Sequence, residues 1–203
     1  MARYSTRRLA AAIMLAMISA PTWAFGLHDL QVQLQSAAVV RGDFVQEKFL
    51  RSLPQPLTSR GAFTLAPGRG LLWRALSPIR LDMRITPQGI ARMGPDGSWQ
   101  ALPGHSRSSR ESKLFLAVLA GDTQGLQDNF AITVAGDANG WELVLTPRST
   151  LLKQVFDHIH ISGGDLVDTI ELVETQGDRS VLHMVHAVRA PQLTDEEQRA
   201  FAK

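Results

Sequence analysis

Phe44 to Trp73 reads FVQEKFLRSLPQPLTSRGAFTLAPGRGLLW. Extended runs carrying large apolar side chains are interrupted first around Pro56 and then at Pro67-Gly68. Proline fixes φ and removes a donor, and glycine reaches conformations closed to other residues, so the stretch predicts strand, turn, strand, turn, strand.

Working outward, Arg80 to Thr86 alternates, with Leu81, Met83 and Ile85 on one face and Asp82, Arg84 and Thr86 on the other. That period of two predicts a sheet with one wet side. Pro87-Gln88-Gly89 is a turn, Ile90 to Met93 a short return strand, and Pro95-Asp96-Gly97 a further turn. Upstream, Leu27, Leu30, Leu34 and Ala37 or Ala38 are spaced by threes and fours, which predicts an amphipathic helix. Arg41-Gly42-Asp43 spells a familiar adhesion tripeptide, read here as the turn between that helix and the first strand.

The polar segment Pro103 to Arg110 predicts a loop that could touch acidic lipid heads, followed by a helix from Glu111 to Ala120. Ser108 or Ser109 would cap that helix, and Gly121 would end it in a left-handed conformation. A single helical turn is expected near Gly125 to Asn129. Phe130 to Val134 and Trp141 to Leu145 form a hairpin around Gly136-Asp137-Ala138-Asn139-Gly140. Val155 to Ile161, Thr169 to Glu174 and Ser180 to Val188 read as three more strands, and Thr194 to Glu197 as the capping box of a short last helix. No internal repeat or linker divides the chain. The expectation is one mainly β domain: a strongly curved antiparallel sheet, or incomplete barrel, of nine or ten strands covered by two or three helices.

The first 24 residues have the parts of a cleavable export signal: Arg3, Arg7 and Arg8, an apolar run from Leu9 to Ala20, and small residues at Thr22 and Ala24. That run is short of the roughly 20 residues a membrane span requires. Domain boundaries follow, with a signal at 1–24 and a single domain at 25–203 placed outside the cytoplasm. Without the signal the chain keeps 18 basic and 19 acidic side chains, a net charge of about −1. The net charge is not basic and the compartment is outside the cytoplasm, so no nucleic-acid partner is expected. The chain has no cysteine, which removes disulfides, a lipid-modified N-terminal cysteine and thiol chemistry.

The order Phe44-x-Gln46-x-Lys48, Pro56 and Ser59, Gly61-x-Phe63, Pro67-Gly68 and Leu72-Trp73 resembles the start of the LolA family, periplasmic carriers that take lipoproteins to the outer membrane. Leu143-x-Leu145-Thr146-Pro147 is similar to the family's LTP segment. Ile170 to Val173 with Glu174 and Gly177-Asp178 is similar to its "I..VE..GD.S" stretch. The similarity extends from about Leu27 to Phe201. It implies a periplasmic, non-enzymatic carrier without a cofactor, holding acyl chains in an apolar space between an incomplete barrel and its helices. It also implies an inner-membrane loading complex and an outer-membrane acceptor as partners. The family's best-known carrier has an arginine tied to lipoprotein release where this chain has Ala66, with Arg69 nearby as a replacement or headgroup contact. Its aromatic strand after the SDG turn is here Ile90-Ala91-Arg92-Met93. These departures fit a divergent branch, whose cargo could be another outer-membrane lipid such as a polyene or glycolipid.

A carrier needs concave apolar surface rather than a nucleophile or base. Burying eight methylenes supplies about 6 kcal/mol at roughly 0.8 each. The lipid-binding candidates are Phe63, Leu65, Leu72, Trp73, Leu81, Met83 and Met93 on strands and Leu114, Phe115 and Val118 on the covering helix. The plainer alternative is that these residues form a closed core. His158 and His160 share one strand and His183 and His186 lie on another. They read as solvent-facing residues rather than metal ligands, because Ile159 and Ile161 claim the core face. Ser162-Gly163-Gly164 and Gly97-Ser98-Trp99 contain no GxSxG elbow, so no hydrolase is indicated. A shielded cavity suits a monomer. A non-enzymatic docking or sensor module on the same architecture is the alternative from a different class.

Overall fold

The computed structural model describes residues 25–102 and 107–202. The export signal expected at 1–24 lies outside the described residues. Three strands form where the punctuation at Pro56 and Pro67-Gly68 requires them: β1 (Val39–Phe49), β2 (Leu57–Ala66) and β3 (Gly70–Ser77). β4 (Leu81–Thr86), β5 (Gly89–Met93) and β6 (Trp99–Ala101) continue the meander to one edge. After the helices, β7 (Phe130–Asp137), β8 (Gly140–Pro147), β9 (Phe156–Gly163), β10 (Val167–Glu174) and β11 (Arg179–Ala190) return from the other edge.

The two runs join through β1 and β11, whose register extends from Val39 opposite Ala190 to Phe49 opposite Arg179. The result is one 11-stranded antiparallel sheet, in the order β6-β5-β4-β3-β2-β1-β11-β10-β9-β8-β7, with β6 and β7 as its edges.

Arg41-Gly42-Asp43 is not the turn that the sequence suggests. It lies within β1, where the register against β11 shifts between Arg41 and Asp43. A Cβ on Gly42 would stand 2.8 Å from the Phe63 ring and 2.9 Å from the Val185 carbonyl oxygen. The glycine therefore serves a bulge at a close approach, a use of the residue type that a tripeptide cannot reveal. Gly61 has a similar role: a Cβ there would meet the Phe44 ring at 2.7 Å, so its absence lets Phe44 lie across β2.

Three helices pack on the inner face: α1 (Leu27–Gln35), α2 (Arg107–Leu119) and α3 (Thr123–Gln127). The sheet residues Phe44, Phe63, Leu65, Trp73, Ile85, Leu145 and Ile161 form a single core with Leu30 and Leu34 of α1 and Leu114, Phe115 and Val118 of α2. α2 begins at Arg107, one turn before the expected Glu111, so Ser108 and Ser109 fall inside the helix instead of capping it. The expected loop is thereby shortened, and its first residues, 103–106, lie outside the described residues. Gly121 ends the helix as expected, with φ of +63°.

α4 (Thr150–Lys153) has no counterpart in the sequence reading; Ser149 starts it by accepting from the Leu152 N–H. α5 (Asp195–Phe201) opens on the anticipated capping box, Thr194 with Glu197. It packs on the outer face, where Val39, Ala66 and Leu193 make a second, small apolar cluster. The face of β4 expected to be wet is thus partly covered: Arg84 Nη1 donates to the Ala200 and Ala202 carbonyls at 3.0 and 2.7 Å.

Candidate functional site

Side chains directly opposite in an antiparallel pair share a face, so the register separates the candidates into two sets. Phe63 opposes Trp73, and Trp73 opposes Met83. These three face the helices, together with Leu65 and, at the exposed end of β4, Leu81. Leu114, Phe115 and Val118 close over them from α2 and are buried. The aromatic rings form a ladder through the site: Phe44 stacks on Trp73 at 3.7 Å between centroids, and Trp73 on Phe115 at 6.3 Å. In this structure α2 itself fills the concave face.

Leu72 and Met93 belong to the other set, a correction to the expectation that they share the inner surface. Leu72 opposes Thr64 and Arg84, and both of those side chains hydrogen-bond to α5. Met93 opposes Trp99, whose ring lies beneath the Arg84 guanidinium at 5.0 Å. Leu-Leu-Trp at 71–73 must place its middle residue opposite its neighbours, and apolar character alone cannot say which face is inner.

α2 has a groove along each flank. One, of about 630 Å³, is lined by Gln35, Pro67, Gly70, Pro87, Leu116 and Ala120, among others. The other, of about 360 Å³, is lined by Leu114, Ala117, Leu126, Phe130, Leu152 and Phe156, among others. Lys113 and Asp122 border both. Both volumes lie in the range typical of small-molecule sites. Arg69 is exposed on the β2–β3 turn, between the groove residues Gly68 and Gly70. Ala66 points the other way, into the cluster beneath α5. The place of the family arginine is therefore apolar here and faces away from the groove that Arg69 borders. Sequence reasoning missed Lys113, Leu116 and Ala120; their signal is a helix whose small and basic residues flank its apolar stripe.

The anchoring of the helices differs sharply. Gln31 of α1 accepts from Thr123 Oγ1 at 2.8 Å, Gln33 Nε2 donates to the Gly164 carbonyl at 2.6 Å, and Gln35 Nε2 donates to the Gly121 carbonyl at 3.1 Å. Arg189 adds two donations to the Asp165 carboxylate and one to Ser36 Oγ. On the outer face, Arg41 grips Glu197 through two nitrogens, and Thr64 Oγ1 donates to the same carboxylate at 2.9 Å. Arg41 and these hydrogen bonds hold the Glu197 carboxyl down at about 2, against 4.5 ordinarily, although partial burial opposes them. For residues 113–119 of α2, no side-chain hydrogen bond or ion pair to the rest of the molecule occurs among the described residues. That segment of the helix is held by apolar contact.

The four strand histidines singled out above lie on the outer strand faces: His158 beside Asp157 at 2.7 Å, His160 beside Glu142 at 3.5 Å, His183 beside Glu47 at 4.0 Å, and His186 beside Asp43 at 3.3 Å. Among the described residues no three histidine, aspartate or glutamate side chains converge as a metal site would require. No helix among them is long and apolar enough to cross a membrane.

Compared with known proteins, residues 19–200 match the family model described as outer membrane lipoprotein carrier protein LolA-like. Among curated proteins none matches the chain significantly in sequence. Similar solved structures include a chain of the Pseudomonas aeruginosa MucA/MucB complex, at 12% identity and a TM-score of 0.49, with 84% of this chain covered. The chain spans only 58% of that protein's length. A LolA superfamily protein from Nitrosomonas europaea aligns at 10% identity and a TM-score of 0.46, over 89% of this chain and 99% of the other.

Proposed function

The chain belongs to the family of LolA-like outer membrane lipoprotein carrier proteins, and from that premise we propose that it is a periplasmic carrier of lipoprotein acyl chains between the inner and outer membranes. The observation that carries this reading is the way α2 covers the sheet. Its apolar side chains fill the concave face, no described side chain from residue 113 to 119 locks it there, and open grooves flank it. Apolar burial is non-directional, so methylenes can take the place of Leu114, Phe115 and Val118 against Phe63, Trp73 and Met83. Acyl chains enter along α2 and displace it, while Arg69 and Lys113 at the groove meet the polar end of the cargo. The reading requires no catalytic group. Its partners are an inner-membrane machine that loads the carrier and an outer-membrane acceptor that unloads it.

Ala66 supports a second cargo, another outer-membrane lipid, because the residue tied to lipoprotein release in the family's best-known carrier is replaced here by a methyl group facing α5. Native mass spectrometry with lipid extraction of the protein purified from periplasm distinguishes the two. Bound acylated lipoprotein supports the first cargo and a bound free lipid the second. A protein always empty, yet held in a stable complex with another protein, refutes both in favour of a docking module.

A further inference from the structure

Antiparallel connectivity brings the β1–β2 loop (50–56), the β3–β4 loop (78–80) and the β10–β11 turn (175–178) to one end of the sheet. Arg51 ties two of them together, donating from its guanidinium to the Gln176 carbonyl at 2.9 Å and from its backbone N–H to Asp178. Six of the eight large apolar side chains exposed among the described residues lie at this end, and five of them, Leu53, Leu57, Leu76, Ile79 and Leu81, gather on its β1–β4 side, with Ile79 76% exposed. Adjacent strands are about 4.8 Å apart, so the loops bearing Leu53 and Ile79, two strands apart, are separated by about 10 Å along the rim.

The charge around these residues is one-sided. Lys48 to Arg60 and Arg74 to Leu81 contain Lys48, Arg51, Arg60, Arg74 and Arg80 and not one acidic residue, although the chain beyond residue 24 is slightly acidic. Arg74 is matched by Asp82 at 3.7 Å and Glu196 at 3.0 Å. Lys48, Arg60 and Arg80 have no ion-pair partner among the described residues. Besides Asp82 and Glu196, the nearby carboxylates are Asp178, which accepts from the Arg51 backbone, Asp96, which is bound to Ser98, and Glu47, which opposes Thr58 and lies 4.0 Å from His183.

We propose that this rim docks on the surface of a bilayer rich in anionic lipid. Leu53 and Ile79 enter the headgroup region while Arg60 and Arg80 lie among the phosphates. Separate apolar tips on hairpin ends, ringed by unpaired cations, match a fluid anionic interface that accepts each tip independently. The cargo site is at the inner face beneath α2, so docking needs no cargo, and its failure leaves the carrier reading untouched.

The absence of cysteine permits a direct test. The chain from residue 25 onward carries Ile79→Cys labelled with the fluorophore NBD, and a second preparation carries the label at Val188→Cys, an exposed position at the opposite end of the sheet. Vesicles of phosphatidylethanolamine and phosphatidylglycerol should shift the emission at position 79 to the blue and leave position 188 unchanged. Phosphatidylcholine vesicles should change the emission at neither position. Arg60→Ala with Arg80→Ala should weaken binding about fivefold for each arginine. Equal response to both vesicle types, equal response at both positions, insensitivity to the arginines, or capture of an acidic protein without vesicle binding would each overturn the proposal.

Discussion

α2 and α5 cover opposite faces of one sheet and are held by opposite means. α5 has seven residues, none of them buried, and its place is fixed by Arg41, Thr64 and Arg84 through contacts that work only at one distance and angle. α2 is nearly twice as long, and its described side chains, from residue 113 to 119, rest on apolar area that is indifferent to orientation. The comparison teaches which helix can be exchanged. Methylenes reproduce what Phe115 gives Trp73, whereas they cannot reproduce what Glu197 gives Arg41.

The hardest test of that contrast sets two charges against each other on opposite faces. Phe115→Glu should reduce lipid retention by at least about 100-fold, since a carboxylate facing hydrocarbon costs several kcal/mol. Leu72→Glu, on the α5 face, should leave retention intact. Equal losses in both, read by lipid extraction, would erase the distinction. Trp73→Ala should lower stability to urea by about 3 to 5 kcal/mol, as expected for removing a large aromatic from a packed core. Glu197→Gln should cost about 2 kcal/mol through its charge-assisted hydrogen bonds, seen as faster hydrogen exchange in α5 with α2 unaffected.

The same pair of helices should respond differently to acid. Glu197 is held well below its ordinary carboxylate value, so the folded state binds its proton more weakly than the unfolded state. Its contribution is complete above about pH 4.5 and disappears as pH falls toward 2. Exchange in α5 should therefore accelerate across that window, while α2 should show no matching transition. Thr194→Ala should have the smallest effect, about 1 kcal/mol from the lost cap, confined to α5.

Strands, turns and some helix ends were legible in the sequence where local chemistry decides them. Pro67-Gly68 had to turn, Thr194 with Glu197 had to begin a helix, and Gly121 had to stop one. Faces were harder to read. Leu72 and Met93 are apolar residues on strands, but which side is inner depends on a helix from residue 195 onward settling against Thr64 and Arg84. Gly42 needed the same distant information, because its close neighbours Phe63 and Val185 come from two other strands. The grooves beside α2 were least legible, since empty space follows from how elements pack and no residue encodes it.

The pairing of β1 with β11 has a consequence for how the molecule is made. Its paired residues are 130 (179 minus 49) to 151 (190 minus 39) positions apart in the chain, so β1 keeps an unpaired edge on that side until the last strand has been delivered. Contacts this remote in sequence form slowly. Under the proposed periplasmic role the chain crosses a membrane as an extended thread, and that delay would help it, since the sheet cannot be completed before β11 has passed. The open edge also makes the late-arriving polypeptide vulnerable to pairing with the wrong neighbour.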